Sequence, residues 1–270
     1  MFFSSEYSKI EVEINQKAFE KELTTQRRLI VFLEDGARPD YLFLNSSVPH
    51  WKPFFQSLLK SDPTHAVCST MKVDPPTSTT QGVKTLLTGG MRSFLELGQT
   101  FFSSSLTSDH WLRQLRTYRN LSIVHTGDHV WRELGGDVFS NDPPESDSFD
   151  VYVDDTDDIQ EALEAFVESS TDVLIVHSLL VDHNAHRTST SSPSNPAIYD
   201  ALLKFNQHLS FITSHLPNNT LLLVFGDHGL STWGNHGGAT YDEVTTGLCA
   251  YTSSYNLRPF TVKVSFINHS

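Results

Sequence analysis

Three apolar runs of this chain end in acidic residues, and two of those ends carry histidines as well. Leu29 to Leu33 runs into Glu34-Asp35-Gly36, and Val173 to Val181 runs into Asp182-His183-Asn184-Ala185-His186. Thr220 to Phe225 runs into Gly226-Asp227-His228-Gly229, with His236 following in Asn235-His236-Gly237-Gly238. Taken singly, an Asp after a strand is ordinarily a turn former or helix cap, and a lone His is ordinarily a packed, hydrogen-bonded side chain. Six such residues at three strand ends make a stronger pattern. Asp35, Asp182, Asp227, His186, His228 and His236 supply the oxygen and nitrogen donors that suit Zn²⁺, with Mn²⁺ as the alternative. The Asp182-x-x-x-His186 spacing puts both side chains on one face of a helical turn. Glycines around Asp227 and His236 let the backbone approach a metal or phosphate closely.

The segment Asp74-Pro75-Pro76-Thr77-Ser78-Thr79-Thr80-Gln81 places hydroxyls after a rigid Pro-Pro and before a helix pattern that ends at Thr88-Gly89-Gly90. A Thr at a helix start is usually an N-cap. Next to a metal and at the positive helix end, its alkoxide is stabilised twice over, and the cap becomes a nucleophile.

Positioning these groups takes strands that end on one edge. Apolar strand patterns at Leu29 to Leu33, Ala66 to Met71, Ser122 to His125, Val173 to His177 and Thr220 to Phe225 alternate with helical ones. The helices are expected at Trp51 to Lys60, Thr80 to Leu87, Asp109 to Tyr118, Asp157 to Ser169 and Ala197 to His215. This alternation predicts an α/β fold with a mostly parallel central sheet and helices on both faces. In open sheets of that kind ligands bind outside the carboxyl ends of the strands, where the three aspartates would meet. Asn141 to Asp150 and Arg187 to Pro196 read as loops. The expected organisation is an N-terminal arm at 1–26, one catalytic domain at 27–255 and a C-terminal tail at 256–270.

Composition narrows the function. With 19 Lys+Arg against 32 Asp+Glu the net charge is −13, which disfavours nucleic acid as a partner. Hydrophobic content of 38%, with 18 Phe and 4 Trp, is enough to bury a core and excludes wholesale disorder. The two cysteines, Cys68 and Cys249, exclude a Cys-based zinc cluster and leave one disulfide open. No stretch approaches the roughly 18 to 20 apolar residues that span a bilayer, and the first residues are too polar for a signal-peptide core, so the chain taken alone is expected to be soluble. Sequons begin at Asn45, Asn120, Asn218 and Asn268, a weak pointer to a secretory compartment and to a glycoprotein.

Together, VFLEDGARPDYL, DPPTSTTQGVKTLLTGG, TGDHVW, VHSLLVDHNAHR and LLLVFGDHGLSTWGNHGG resemble the GPI ethanolamine phosphate transferases, the type 3 branch in particular, within the alkaline phosphatase superfamily. They follow the family order and cover about Leu29 to Thr252. The resemblance implies an alkaline-phosphatase-like fold and two divalent ions. One would be held by Asp35, Thr79, Asp227 and His228, the other by Asp182, His186 and His236. It also implies Thr79 as nucleophile, ten residues before Gly89 as in related phosphodiesterases, while the Thr-rich run keeps Thr77 and Thr80 as alternatives. The sulfatase branch is disfavoured, because Cys68-Ser69-Thr70-Met71-Lys72 lacks the Cys-x-Pro-x-Arg pattern of those enzymes.

The function so implied is transfer of phosphoethanolamine from phosphatidylethanolamine to a mannose of a GPI-anchor precursor, through a phosphoethanolamine-threonine intermediate, on the lumenal side of the endoplasmic reticulum. A phosphodiesterase- or phosphatase-type hydrolase on the same scaffold is the rival enzyme, and a non-catalytic remnant the rival binding module. Family members begin with a membrane anchor and continue into transmembrane helices, a pattern from which this sequence departs. A membrane-embedded partner subunit is therefore an expectation. Arg38 and Asp40 read as a surface ion pair, and His125, Asp128, His129 and Trp131 as an ordinary polar loop or a substrate pocket. His177 and His183 lie near the site without a pattern that separates them from buried, hydrogen-bonded histidines.

Overall fold

The structure is a computed structural model that describes residues 28–46, 48–90, 106, 109–140, 145–147 and 149–257. The expected arm at 1–26 and nearly all of the expected tail at 256–270 lie outside the described residues.

Seven strands form one sheet: β1 (Arg28–Glu34), β2 (Ala66–Lys72), β3 (Ile123–Asp128), β4 (Glu145–Ser146), β5 (Val173–Ser178), β6 (Thr220–Phe225) and β7 (Thr245–Tyr251), in the order β2-β7-β6-β1-β5-β3-β4. The three strands that end in aspartate or its neighbours are adjacent at the centre. β1 pairs in parallel with β5 and β6, with Glu34 opposite Ser178 and Leu33 opposite Phe225. Only β7 runs against its neighbours, antiparallel to both β6 and β2.

Helices cover both faces, as the alternation predicts. Odd and even positions of the central strands point to opposite sides. Ile30, Phe32, Leu174, Val176, Leu222 and Val224 pack under α2 (Phe54–Ser61), α6 (Thr156–Glu168) and α8 (Pro196–His215). Val31, Leu33, Val173 and Ile175 pack under α3 (Thr79–Thr88), α4 (Trp111–Arg119) and α5 (Val130–Gly135). α8 starts where Asn195 caps it, its side chain accepting the Ala197 N–H at 2.9 Å, with Pro196 supplying a preset φ in the first turn. α1 (Pro39–Leu42) and α7 (Leu180–Thr188) complete the carboxyl edge.

Four features depart from the sequence reading. The expected strand Val173 to His177 lies in β5, but the apolar run beyond it turns at Ser178 into a helix the sequence reading lacks, α7, which begins at Leu180. The break is fixed from outside the segment: the Leu179 N–H donates to Asp155 Oδ2 at 3.1 Å and the Val181 N–H to Glu34 Oε1 at 3.1 Å. α7 takes Arg187 and Thr188 from the expected loop Arg187 to Pro196, and β4 lies within the expected loop Asn141 to Asp150. β7 went unread, and through it Cys68 and Cys249 face one another in register and form a disulfide. Among the described residues, no helix is long and apolar enough to cross a membrane.

Candidate metal centre

Each strand of the central trio delivers one aspartate just past its carboxyl end. Asp35 follows β1, and Gly36 at φ +70° makes the turn behind it, a conformation that L side chains rarely adopt. Asp182 stands in the first turn of α7. Asp227 and His228 follow β6, where the Gly36 N–H donates to Asp227 Oδ1 at 3.4 Å. All four side chains are buried, Asp35 and His228 at 0% exposure.

The contacts form two joined sets. His228 Nε2 lies 3.2 Å from Asp35 Oδ1 and 3.3 Å from Asp227 Oδ2. Toward the surface, Asp182 faces His186 Nε2 at 3.3 Å and His236 Nε2 at 3.6 Å. The rings of His228 and His236 stack with centroids 3.9 Å apart, and the His186 ring lies 5.0 Å from that of His236. Ligand atoms of Asp35, Asp227 and His228 lie within 4.8 Å of one another, as do those of Asp182, His228 and His236. The structure thus brings the six expected aspartates and histidines to one edge, with His228 shared between the two sets rather than confined to one.

Thr79 completes the edge. It opens α3 after Ser78, whose side chain makes no capping hydrogen bond, so the positive end of the helix is not blunted by its own cap. Thr79 Oγ1 donates to Asp35 Oδ2 at 3.2 Å. Thr77 is engaged differently: its hydroxyl donates to the Gly238 carbonyl at 3.1 Å and accepts the Gly237 N–H at 2.8 Å. Thr80, next along the helix, is half-buried.

These residues fit a divalent cation. Asp35 Oδ1, Asp182 Oδ1 and His228 Nε2 are buried and make no hydrogen bond, a costly state unless a cation satisfies them. Burial, and then the charges of Asp227, Asp182 and Asp128, push the Asp35 carboxyl well above the usual carboxylate range. Burial also lowers His228 to about 4, which keeps its imidazole neutral and able to coordinate.

Sequence reasoning missed one support, Glu34, and left another, His177, without a role. Glu34, whose carboxyl burial holds well above its ordinary value, anchors the first turn of α7 and therefore Asp182. His177 lies 3.4 Å from Asp35 Oδ2, with Trp131 and Asp128 behind it at 3.0 and 3.9 Å. The TGDHVW segment is thus packed against the back of the centre. His125 is wholly buried against Phe139, away from the edge, and His129 bonds the Ser146 carbonyl. Arg38 and Asp40 form the expected ion pair at 2.9 Å, extended by Arg38 to Ser191 Oγ at 2.7 Å. A cavity of about 360 Å³ opens between α6 and the faces of β3 and β5; none of the seven residues lines it, so it has no part in the centre.

No protein-family model matches the chain. A human protein named GPI ethanolamine phosphate transferase 3, catalytic subunit, is 35% identical over 230 residues, 81% of this chain and 20% of that protein. The chain belongs to the GPI ethanolamine phosphate transferase family. It spans about a fifth of the length of this relative. The fold agrees with that of solved alkaline-phosphatase-like enzymes. Lipooligosaccharide phosphoethanolamine transferase A from Neisseria meningitidis superposes with a TM-score of 0.55 at 14% identity, covering 84% of this chain and 48% of that one. The periplasmic domain of Escherichia coli EptC, solved in complex with Zn, gives 0.54 at 12% identity, covering 84% and 73%.

Proposed function

We propose that residues 27–255 form the catalytic domain of a transferase that moves phosphoethanolamine from phosphatidylethanolamine to a mannose of a GPI precursor, with Thr79 as nucleophile. The observation that carries this reading is the 3.2 Å bond from Thr79 Oγ1 to Asp35, at the start of α3 and the edge of the carboxylate–histidine cluster. Divalent ions, zinc by the donor set, would be held by Asp35, Thr79, Asp227 and His228 and by Asp182, His186 and His236, and would supply Lewis-acid stabilisation of the attacking and leaving oxygens.

The chain's own groups do the rest. Asp35 Oδ2 holds the Thr79 hydroxyl in one orientation, and the N-terminal amides of α3 favour negative charge developing beside it. Thr79 Oγ forms a bond to the donor phosphorus as the diacylglycerol oxygen leaves and takes up a proton. A mannose hydroxyl then attacks the phosphoethanolamine-Thr79 ester from the more exposed side, where His186 and His236 stand, and Thr79 regains its proton. An endoplasmic-reticulum lumenal setting and glycosylation are supported by the Cys68–Cys249 disulfide and by the exposure of Asn45, Asn120 and Asn218.

The test is brief incubation with a phosphoethanolamine donor, then mass spectrometry of the peptide containing Asp74 to Lys84. The adduct is expected on Thr79, abolished in Thr79→Ala and partly kept in Thr79→Ser. An adduct on Thr77 or Thr80 would move the nucleophile. Fast multiple turnover of an aryl phosphodiester without acceptor would make the enzyme a hydrolase instead.

A further inference from the structure

The hydrogen bonds of three histidines sort them into two kinds. His228 and His236 each give Nδ1–H to a main-chain carbonyl, of Gly229 at 3.1 Å and of Thr77 at 2.6 Å. Each is left with a bare Nε2 facing carboxylates, the tautomer a metal ligand requires. His177 is built the opposite way. Trp131 Nε1, which can only donate, lies 3.0 Å from His177 Nδ1. Nδ1 therefore accepts. An imidazole whose Nδ1 accepts carries its single proton on Nε2.

That Nε2 is wholly buried and makes no hydrogen bond in this structure, and the carboxylate oxygen Asp35 Oδ2 lies 3.4 Å from it. We propose that His177, oriented by Trp131, is a positioning residue that aims its Nε2–H at Asp35 Oδ2 and does not itself ligate a metal. Geometry alone would admit the opposite, since Asp35, Asp128 and His177 bring ligand atoms within 4.8 Å of one another. To coordinate through Nε2, however, the ring would have to carry its proton on Nδ1, directly against the indole N–H. Asp128 Oδ2, 3.9 Å from Nδ1, is too far to take that proton in a hydrogen bond. Asp35 Oδ2 then receives two donors, His177 and the Thr79 hydroxyl, while Oδ1 is turned toward His228. The tryptophan thus sets, through one histidine, the direction of the carboxylate that holds the nucleophile.

The inference rests on reading Asp35 as a metal ligand, but its first test does not. Long-range ¹H–¹⁵N NMR of the metal-free and zinc-loaded protein should show His177 protonated at Nε2 in both; protonation at Nδ1 in either overturns the proposal. In zinc titrations, Trp131→Phe and His177→Phe should keep the wild-type number of ions but bind the Asp35-side ion about 10- to 100-fold more weakly. His177→Gln, whose amide nitrogen donates without coordinating, should recover most of that loss. An ion missing outright from His177→Gln would make His177 a ligand, and unchanged affinity in all three variants would remove its positioning role. A wild-type protein that binds no zinc would instead sink the metal reading of Asp35, with the NMR result still deciding the His177 tautomer.

Discussion

The Nδ1–H of His236 donates to the carbonyl oxygen of Thr77 across 2.6 Å, joining a candidate metal ligand to the loop that carries Thr79. The Thr77 hydroxyl strengthens the same junction through Gly237 and Gly238. Two segments about 160 residues apart in sequence are therefore tied together, and the candidate ligand on one side is bonded to the loop that carries Thr79 on the other.

His236→Ala removes both a candidate ligand and that junction. It should lose one of two zinc ions and keep the other, because Asp35, Asp227 and His228 remain together. Elemental analysis that finds full double occupancy in the variant would refute the assignment.

Metal should stabilise the fold. Asp35, Asp182 and Asp227 repel one another on one buried edge, and a cation bound only by the folded state shifts the equilibrium by mass action. Zinc at about 100 times its dissociation constant should add about 2.7 kcal/mol, read as a rise in Tm that grows with zinc concentration. A Tm indifferent to saturating zinc would mean that the cluster is not a site.

Acid should destabilise the protein through a group remote from the centre. His208 on α8 is buried beside Phe32, and burial lowers its pKa to about 4. A histidine depressed in the folded state contributes stability above its unfolded value, near 6.5, and loses it as pH falls toward 4. Between pH 6.5 and 5 that is roughly 2 kcal/mol, at about 1.4 kcal/mol for each pH unit. Urea melts at pH 7 and 5 should show His208→Gln losing less stability than the wild type by about that amount. Equal losses would show that His208 does not titrate as its burial requires.

The Cys68–Cys249 bond closes a separation of 181 residues between the edge strand β2 and β7. Cross-linking distant positions restricts the unfolded chain, so Cys68→Ala with Cys249→Ala should cost about 2–4 kcal/mol in chemical denaturation. The zinc stoichiometry should not change, because neither cysteine is among the cluster residues. A double variant as stable as the parent would show that the bridge is not formed in solution.

The sequence alone determined which side chains could do chemistry and the edge on which they gather. The parallel core strands read as short apolar runs, and strands of that kind leave their acidic ends together. Asp35, Asp182, Asp227 and their histidines were therefore legible one by one. The resemblance of five motifs in order supplied Thr79. Tertiary structure alone decided what depends on partners distant in the chain. The break between β5 and α7 is set by Glu34 and Asp155, invisible in the apolar run itself. Strand β7, and with it the disulfide, emerges only from pairing with β6 and β2. The sorting of the histidines is the sharpest case. His177 and His228 are both wholly buried histidines beside Asp35, and only the atom opposite Nδ1, an indole N–H in one case and a carbonyl oxygen in the other, leaves Nε2 a donor in one and a bare acceptor fit for a cation in the other. A proton's place on a ring is fixed by its hydrogen-bond partner, and the partner is chosen by packing.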